Sequence, residues 1–266
     1  MENLEFFLYG LIQGFTEFIP VSSTAHLKVI SEFLGINDPG SSLSAIIQRG
    51  SVLALIWHFK NEIFKLKSKS SRKFFDYFLH SKLLKSIVIG TIPIVLFGFS
   101  IKIFIPYFFN NFLRSNLSIA LVSFIMAIFM YLAECSKKGS INLSNHIYTD
   151  SLLIGFSQAF AIFPGVSRSG VTISTALISG WERGDAAKYS FLLGIPSISL
   201  AAIVEFISSF NEFSSFGLLP LIVGITTTFL SSLLAINFLL KYFSSNGLKL
   251  FIIYRVIFGV VVLLNL

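Results

Sequence analysis

Apolar residues run with little interruption through Leu84–Phe104, Leu117–Ala133, Tyr189–Ile207, Leu218–Leu240 and Leu250–Leu264. Each run approaches the roughly 20 residues that an α-helix needs to cross a bilayer core. Leu43–Phe59 reads as a sixth crossing with a polar start at Gln48 and Arg49. The alternation that would mark the strands of a membrane barrel is absent. Two further stretches, Leu4–Leu27 and Leu152–Leu177, are apolar but broken by Pro20 and by Pro164 with Gly165. A break at membrane depth frees backbone groups that lipid cannot satisfy, so it must be buried in protein or line a wet cavity.

The two broken stretches resemble one another. Shifted by 145 residues, GLIQGFTEFIPVS (Gly10–Ser22) falls on GFSQAFAIFPGVS (Gly155–Ser167), with Gly10, Gln13, Phe15, Phe18, Val21 and Ser22 meeting identical residues. Each copy is an interrupted segment followed by three crossings. Three is odd, so the second copy is expected to lie inverted in the membrane. The chain thus reads as an all-α polytopic membrane protein of two inverted-topology repeats, each a re-entrant helical hairpin plus three transmembrane helices. Residues 1–266 form one integral membrane domain: repeat one over about 1–135, a cytoplasmic linker over about 136–150, and repeat two over about 151–266.

Charge sets the orientation. Lys60–Lys85 holds eight Lys and Arg against two acids and reads as a cytoplasmic loop, as does Ser136–Asp150 with Lys137 and Lys138. Ser31–Ser42 and Phe210–Phe216 carry no Lys or Arg, and Ile105–Asn116 carries only Arg114, so these face outward. The first hairpin then enters from outside and the second from the cytoplasm. The net charge of +7 belongs to these loops rather than to a nucleic-acid face, and no nucleic-acid partner is expected. Only 12% of residues are charged and mean hydropathy is +0.81, unlike a soluble protein. Glu2 and Glu5 stand where a secretory signal would carry basic residues, so no cleavable signal is expected. Cys135 is the single cysteine, and the four histidines show no metal-ligand spacing.

Chemistry concentrates in the two breaks. In FPGVSRSGVT (Phe163–Thr172), Arg168 is always charged and its planar fork suits phosphate. Gly165 and Gly170 permit close backbone approach, and Ser167, Ser169 and Thr172 supply hydroxyls. A half-helix beginning after Gly170 would aim its free N–H groups at the same place. Together these make an anion site suited to phosphate or diphosphate. In the first break, Gln13 and Glu17 share a helix face. Glu17 is a candidate acid or base, an ion-pair partner of Arg168, or a metal ligand. Ser22, Ser23 and His26 follow; Ser23 and His26, three apart, suggest a nucleophile with its base, although capping alone would also place them there. Gln48 borders the cavity, and Arg255 is another intramembrane charge that binds a head group, pairs with an acid or snorkels.

QGFTEFIPVSSTAH (Gln13–His26) and PGVSRSGVT (Pro164–Thr172) resemble the two signatures of the bacterial undecaprenyl-diphosphatase, or bacitracin-resistance, family. IIQRGSVLAL, IGTIPIVLFG, AEC, FLLGIPS and IYR extend the resemblance along nearly the whole chain in order. The resemblance implies an integral phosphatase of the bacterial cytoplasmic membrane. It would remove one phosphate from a polyprenyl diphosphate lipid, returning the carrier for peptidoglycan and other envelope polymers. It implies functional positions at Glu17, Ser22, Ser23, His26, Ser167, Arg168, Ser169 and Thr172, with Gln13 at a variable Glu/Gln position, and help from Mg²⁺ or Ca²⁺ with Glu17 as ligand. In the expected mechanism Arg168 grips the diphosphate, Ser23 or Ser22 attacks with help from His26, and Glu17 orients His26 or holds the metal; His26 as nucleophile stays open. The site would open to the outer face, and a homodimer is admissible. A polyprenyl-phosphate transporter or flippase is the alternative, since inverted repeats are typical of transporters.

Overall fold

The computed structural model describes residues 2–36, 40–62, 81–104, 114–137, 139–208 and 216–265. Much of the expected basic block (63–80), of the expected outer turns (37–39, 105–113, 209–215) and Lys138 lie outside the described residues.

The described chain is helical. The first half holds α1 (Glu2–Phe18), α2 (Ser23–Leu34), α3 (Gly40–His58), α4 (Lys82–Phe104) and α5 (Asn116–Cys135). The second holds α6 (Tyr148–Ala159), a 3₁₀ turn (Phe160–Ile162), α7 (Arg168–Ile178), α8 (Arg183–Ser208), α9 (Leu218–Phe243) and α10 (Lys249–Leu264). Both expected interruptions are present: α1 stops before Pro20, and α6 gives way to Pro164 and Gly165, with Gly165 at φ +94°. Among the described residues four helices, α4, α5, α8 and α9, are long and apolar enough to cross a membrane. At 16 residues, α10 is shorter than a usual crossing, and α3 carries Gln48 and Arg49 in its middle.

One expectation changes. The crossing expected over Tyr189–Ile207 begins earlier, since α8 starts at Arg183. The charges there are paired while still partly exposed: Arg183 pairs with Glu134 at 2.8 Å and Lys188 with Glu62 at 3.0 Å. Asp185 accepts the Leu143 N–H at 2.9 Å, while Ala186 and Ala187 are buried. The linker is tied to the same corner by a parallel bridge between Ile141 and Trp181. Asp150 caps the start of α6 by accepting the Ile147 N–H at 2.9 Å.

Side chains sort as a bilayer requires. Large apolar residues such as Leu96, Phe99, Ile125, Ile128, Leu234 and Ile257 face outward. Ser51, Ser123, Thr172, Ser190, Thr228 and Ser232 are buried. With lipid as apolar as leucine, helices associate through close contact and interhelical hydrogen bonds rather than water expulsion. At Gly14 a Cβ would collide with Ser231 and Thr228 of α9, and at Gly155 it would collide with the Gly90 carbonyl oxygen. These approaches follow an exchange: α1 packs on α9 and α6 packs on α4, so each half's broken helix lies on the other half. α5 packs on α10, and α3 on α8.

Candidate active site between the two broken helices

The two breaks share an unusual backbone. Ser22 (φ 77°, ψ 103°) and Ser167 (φ 68°, ψ 113°) are the positive-φ non-glycine residues among those described, and they are 145 positions apart. Each immediately precedes a helix, α2 and α7 respectively. Such a conformation costs on the order of 1–3 kcal/mol and persists only where the surroundings enforce it. α7 begins at Arg168, three residues before the expected start after Gly170. Ser167 Oγ caps it by accepting the Gly170 N–H at 3.2 Å.

Glu17, 6% exposed, is the hub of the first break. Its Oε2 accepts from Gln13 Nε2 at 2.8 Å, Ser23 Oγ at 2.9 Å and Gln48 Nε2 at 3.1 Å. Its Oε1 lies 3.4 Å from Arg168 Nη2. Gln13 reaches it by helical spacing; Ser23 does so because the turn at Pro20 folds α2 back; Gln48 arrives from α3. The Ser22 hydroxyl lies 3.2 Å from Thr24 Oγ1, away from this carboxylate.

Arg168 approaches from the other break. Nη1 donates to the Ser190 carbonyl at 3.0 Å, while Nε has no partner among the described residues. Gly194 of α8 makes its seat, since a Cβ there would lie 2.6 Å from Nη1 and 2.8 Å from Cζ. The guanidinium therefore retains donor capacity beside one carboxylate and the start of α7. That helix end adds its own partial positive charge. Ser169 Oγ donates to the Ile19 carbonyl at 3.2 Å and so joins the two loops. Thr172 Oγ1 donates to the Arg168 carbonyl at 2.8 Å and lies 2.6 Å from Ser190 Oγ, holding the arginine's turn against α8. Gly170 lies against Ser167, whose Cβ would be 3.2 Å from an added methyl.

The ring nitrogens of His26 are engaged by groups other than the Ser23 hydroxyl. Its Nδ1 lies 2.7 Å from the Ser22 carbonyl and its Nε2 lies 2.6 Å from Tyr254 Oη. The ring stacks on Phe258 with centroids 4.3 Å apart. Ser23 is the first residue of α2, and its hydroxyl turns back to Glu17. Arg255 is 0% exposed and meets no acid among the described residues. It donates to the carbonyls of Pro20 (2.8 Å), Gly165 (3.1 Å) and Val166 (3.0 Å), so it neither pairs with an acid nor snorkels. Tyr254, Ser190 and Gly194 were not singled out from the sequence. A tyrosine or serine in an apolar helix carries no local signal; its role arises from what packs opposite.

The molecule is a polytopic α-helical membrane protein in which two interrupted helices meet around a buried carboxylate, a serine hydroxyl and an incompletely satisfied guanidinium. The family model described as "Bacitracin resistance protein BacA" matches residues 6–261. An undecaprenyl-diphosphatase of Prochlorococcus marinus (strain AS9601) is 77% identical over 266 residues, covering 100% of this chain and 97% of the relative. Another, from strain MIT 9312, is 76% identical and covers 100% of this chain and 99% of the relative. A third, from strain MIT 9313, is 44% identical over 96% of this chain and 86% of its own. The chain belongs to the bacitracin resistance protein BacA family.

Proposed function

We propose that the chain is an undecaprenyl-diphosphate phosphatase. It hydrolyses the diphosphate lipid to undecaprenyl phosphate and inorganic phosphate, and so returns the carrier to envelope polymer synthesis. The relatives' name supports this activity. The observation that carries the mechanism is the Ser23 hydroxyl donating at 2.9 Å to Glu17, with Arg168 at 3.4 Å from the same carboxylate. Phosphoryl transfer needs positioning and charge stabilisation more than covalent machinery, and both are provided here.

Arg168 and the start of α7 bind the phosphoryl oxygens. Ser23 Oγ attacks the terminal phosphorus as its proton passes to Glu17 Oε2. The bridging P–O bond breaks and undecaprenyl phosphate leaves with the electron pair. Water then attacks the phosphoserine, its own protons staying with the phosphate. Ser23 Oγ departs with the proton held by Glu17, which restores both groups. His26 takes no proton from Ser23 in this scheme.

Mg²⁺ or Ca²⁺ is the cation we propose for the site. Among the described residues no three of His, Cys, Asp or Glu gather. Glu17 would be its anionic ligand, while Gln13 and Gln48 turn their amide N–H groups to that carboxylate and hold it in place. Diphosphate oxygens and water would complete the shell, a sharing usual for Mg²⁺. When bound, the cation would neutralise charge on the phosphoryl oxygens.

We further read the fold as two inverted repeats, each a re-entrant hairpin with three crossings, lying in the cytoplasmic membrane with the site open outward. The exchanged packing of α1 and α6 and the matched backbone of Ser22 and Ser167 support the repeat. The charge distribution supports the orientation.

Phosphate release from undecaprenyl diphosphate in detergent, where transport cannot register, tests the activity. Ser23→Ala and Glu17→Gln should each lower kcat by about 10²–10⁴-fold. Full activity in folded Ser23→Ala, or a phosphoenzyme trapped on histidine, would overturn the serine assignment.

A further inference from the structure

α10 is an apolar helix outside both broken stretches, yet two of its consecutive residues reach both breaks. Arg255 donates through Nε to Pro20 in the first break, and through Nη1 and Nη2 to Gly165 and Val166 in the second. Its own carbonyl accepts from Ser123 Oγ of α5 at 3.0 Å, which anchors the turn. Tyr254 reaches the first break through His26. A carbonyl can only accept, so His26 Nδ1 carries the proton toward Ser22, and Nε2 accepts from the Tyr254 hydroxyl. The pair therefore governs carbonyls on either side of Val21, and those of Gly165 and Val166 just before Ser167.

These contacts answer two physical demands. Breaking a helix inside a bilayer orphans carbonyls, and each would cost several kcal/mol if left unpaired. The positive-φ serines also need an external constraint, because neither Ser22 nor Ser167 would hold this backbone unaided. Ser22 and Ser167 lead directly into Ser23 and Arg168, the proposed nucleophile and phosphate grip. A shift in either loop changes their separation.

Resting on the phosphatase reading above, we infer that Tyr254 and Arg255 are a positioning pair: they set the nucleophile of one break in register with the phosphate grip of the other without touching the reacting atoms. His26 is the connector from Tyr254 to the Ser22 carbonyl, which accounts for a histidine in the first signature that does not face the serine. A displacement of about 1 Å at a reacting centre can cost on the order of 10²-fold, so the pair should act on kcat more than on KM.

The experiment uses full-length protein in detergent with undecaprenyl diphosphate as substrate, and compares wild type, Tyr254→Phe and Arg255→Lys. Lysine keeps the charge but cannot reach three carbonyls in a fork. Tyr254→Phe keeps the ring and loses one O–H. In preparations with a wild-type elution profile, kcat should fall about 10-fold for Tyr254→Phe and about 30-fold for Arg255→Lys, with KM within about 3-fold. The deficit should persist when the assay is run well below each variant's melting temperature. Wild-type kcat in either folded variant would overturn the proposal, as would a deficit that disappears on cooling. Should Arg255→Lys fail to fold, Tyr254→Phe decides by the same criteria. An inactive wild type defeats the phosphatase reading itself, an outcome separate from any difference between variants.

Discussion

Arg168 and Arg255 are both withdrawn from water in an apolar chain, and they are satisfied in opposite ways. Arg255 spends its guanidinium on three backbone carbonyls. Arg168 makes one firm bond to Ser190, one long contact to Glu17, and leaves Nε without a partner among the described residues. A buried cation is expensive, so a saturated arginine is structural glue and an unsaturated one is held ready for an anion. Burial alone does not separate the two roles; the count of unused donors does. The contrast also explains the glycine beneath Arg168. Gly194 clears space for a side chain that must lie flat against α8 without being consumed by it.

The largest effect that would test this contrast is Arg168→Ala, which removes the grip itself. kcat/KM for undecaprenyl diphosphate should fall by at least about 10³-fold, with the melting temperature changed little. Substantial retained activity would mean that the unsatisfied donor is not used for substrate. Next in size is Gly194→Ala. Its added methyl meets the movable end of Arg168, so the fold should accommodate it while the guanidinium shifts. Activity is expected to drop about 10–100-fold at near-constant stability, and a variant with normal kinetics would show that Arg168 has more freedom than its seat suggests. Ser167→Ala loses the cap on α7 and should cost roughly 1 kcal/mol of stability, with activity lowered less than 10-fold, as read by thermal denaturation and phosphate release on the same preparation.

The smallest effect lies far from either arginine, at the Lys188–Glu62 pair. Burial pushes the Glu62 carboxyl up, but the hydrogen bond and charge of Lys188 outweigh it and hold the group below its ordinary value. A depressed carboxylate stabilises the folded state above its unfolded value, about pH 4–5, and that contribution fades as pH falls through the folded value. Because the pair is partly solvated, Glu62→Gln should change stability by less than about 1 kcal/mol at pH 7, and by nothing measurable once the pH lies below the depressed folded value. A larger change at pH 7 would place this corner among the features that hold the fold.

Much of this organisation was legible in the chain. Proline set among hydroxyl and charged side chains announced both breaks, whereas Pro93 and Pro196, in otherwise apolar runs, lie inside α4 and α8. Gln13 and Glu17 were legible as one face because helical spacing is local. The helix before Tyr189 was not legible because Arg183, Asp185 and Lys188 interrupt the apolar run, and their partners Glu134, the Leu143 N–H and Glu62 lie far away in the chain. The Ser23–His26 pairing failed for a related reason: spacing can place two side chains on a face, but it cannot show that a nearer acceptor will claim one of them.

Apolar run lengths, the breaks, and the presence of an arginine, a glutamate and hydroxyls within them were all set by local chemistry, since each depends on residues a few positions apart. Which group faces which was decided only by tertiary structure. Glu17 rather than His26 meets Ser23, and Arg255 binds loops 235 and 90 residues away in the chain. Those choices depend on how α10 and α8 lie against the two broken helices, and in a bilayer that packing is set by close shape fit and hydrogen bonds across helices. Neither quantity is written in any short stretch of sequence.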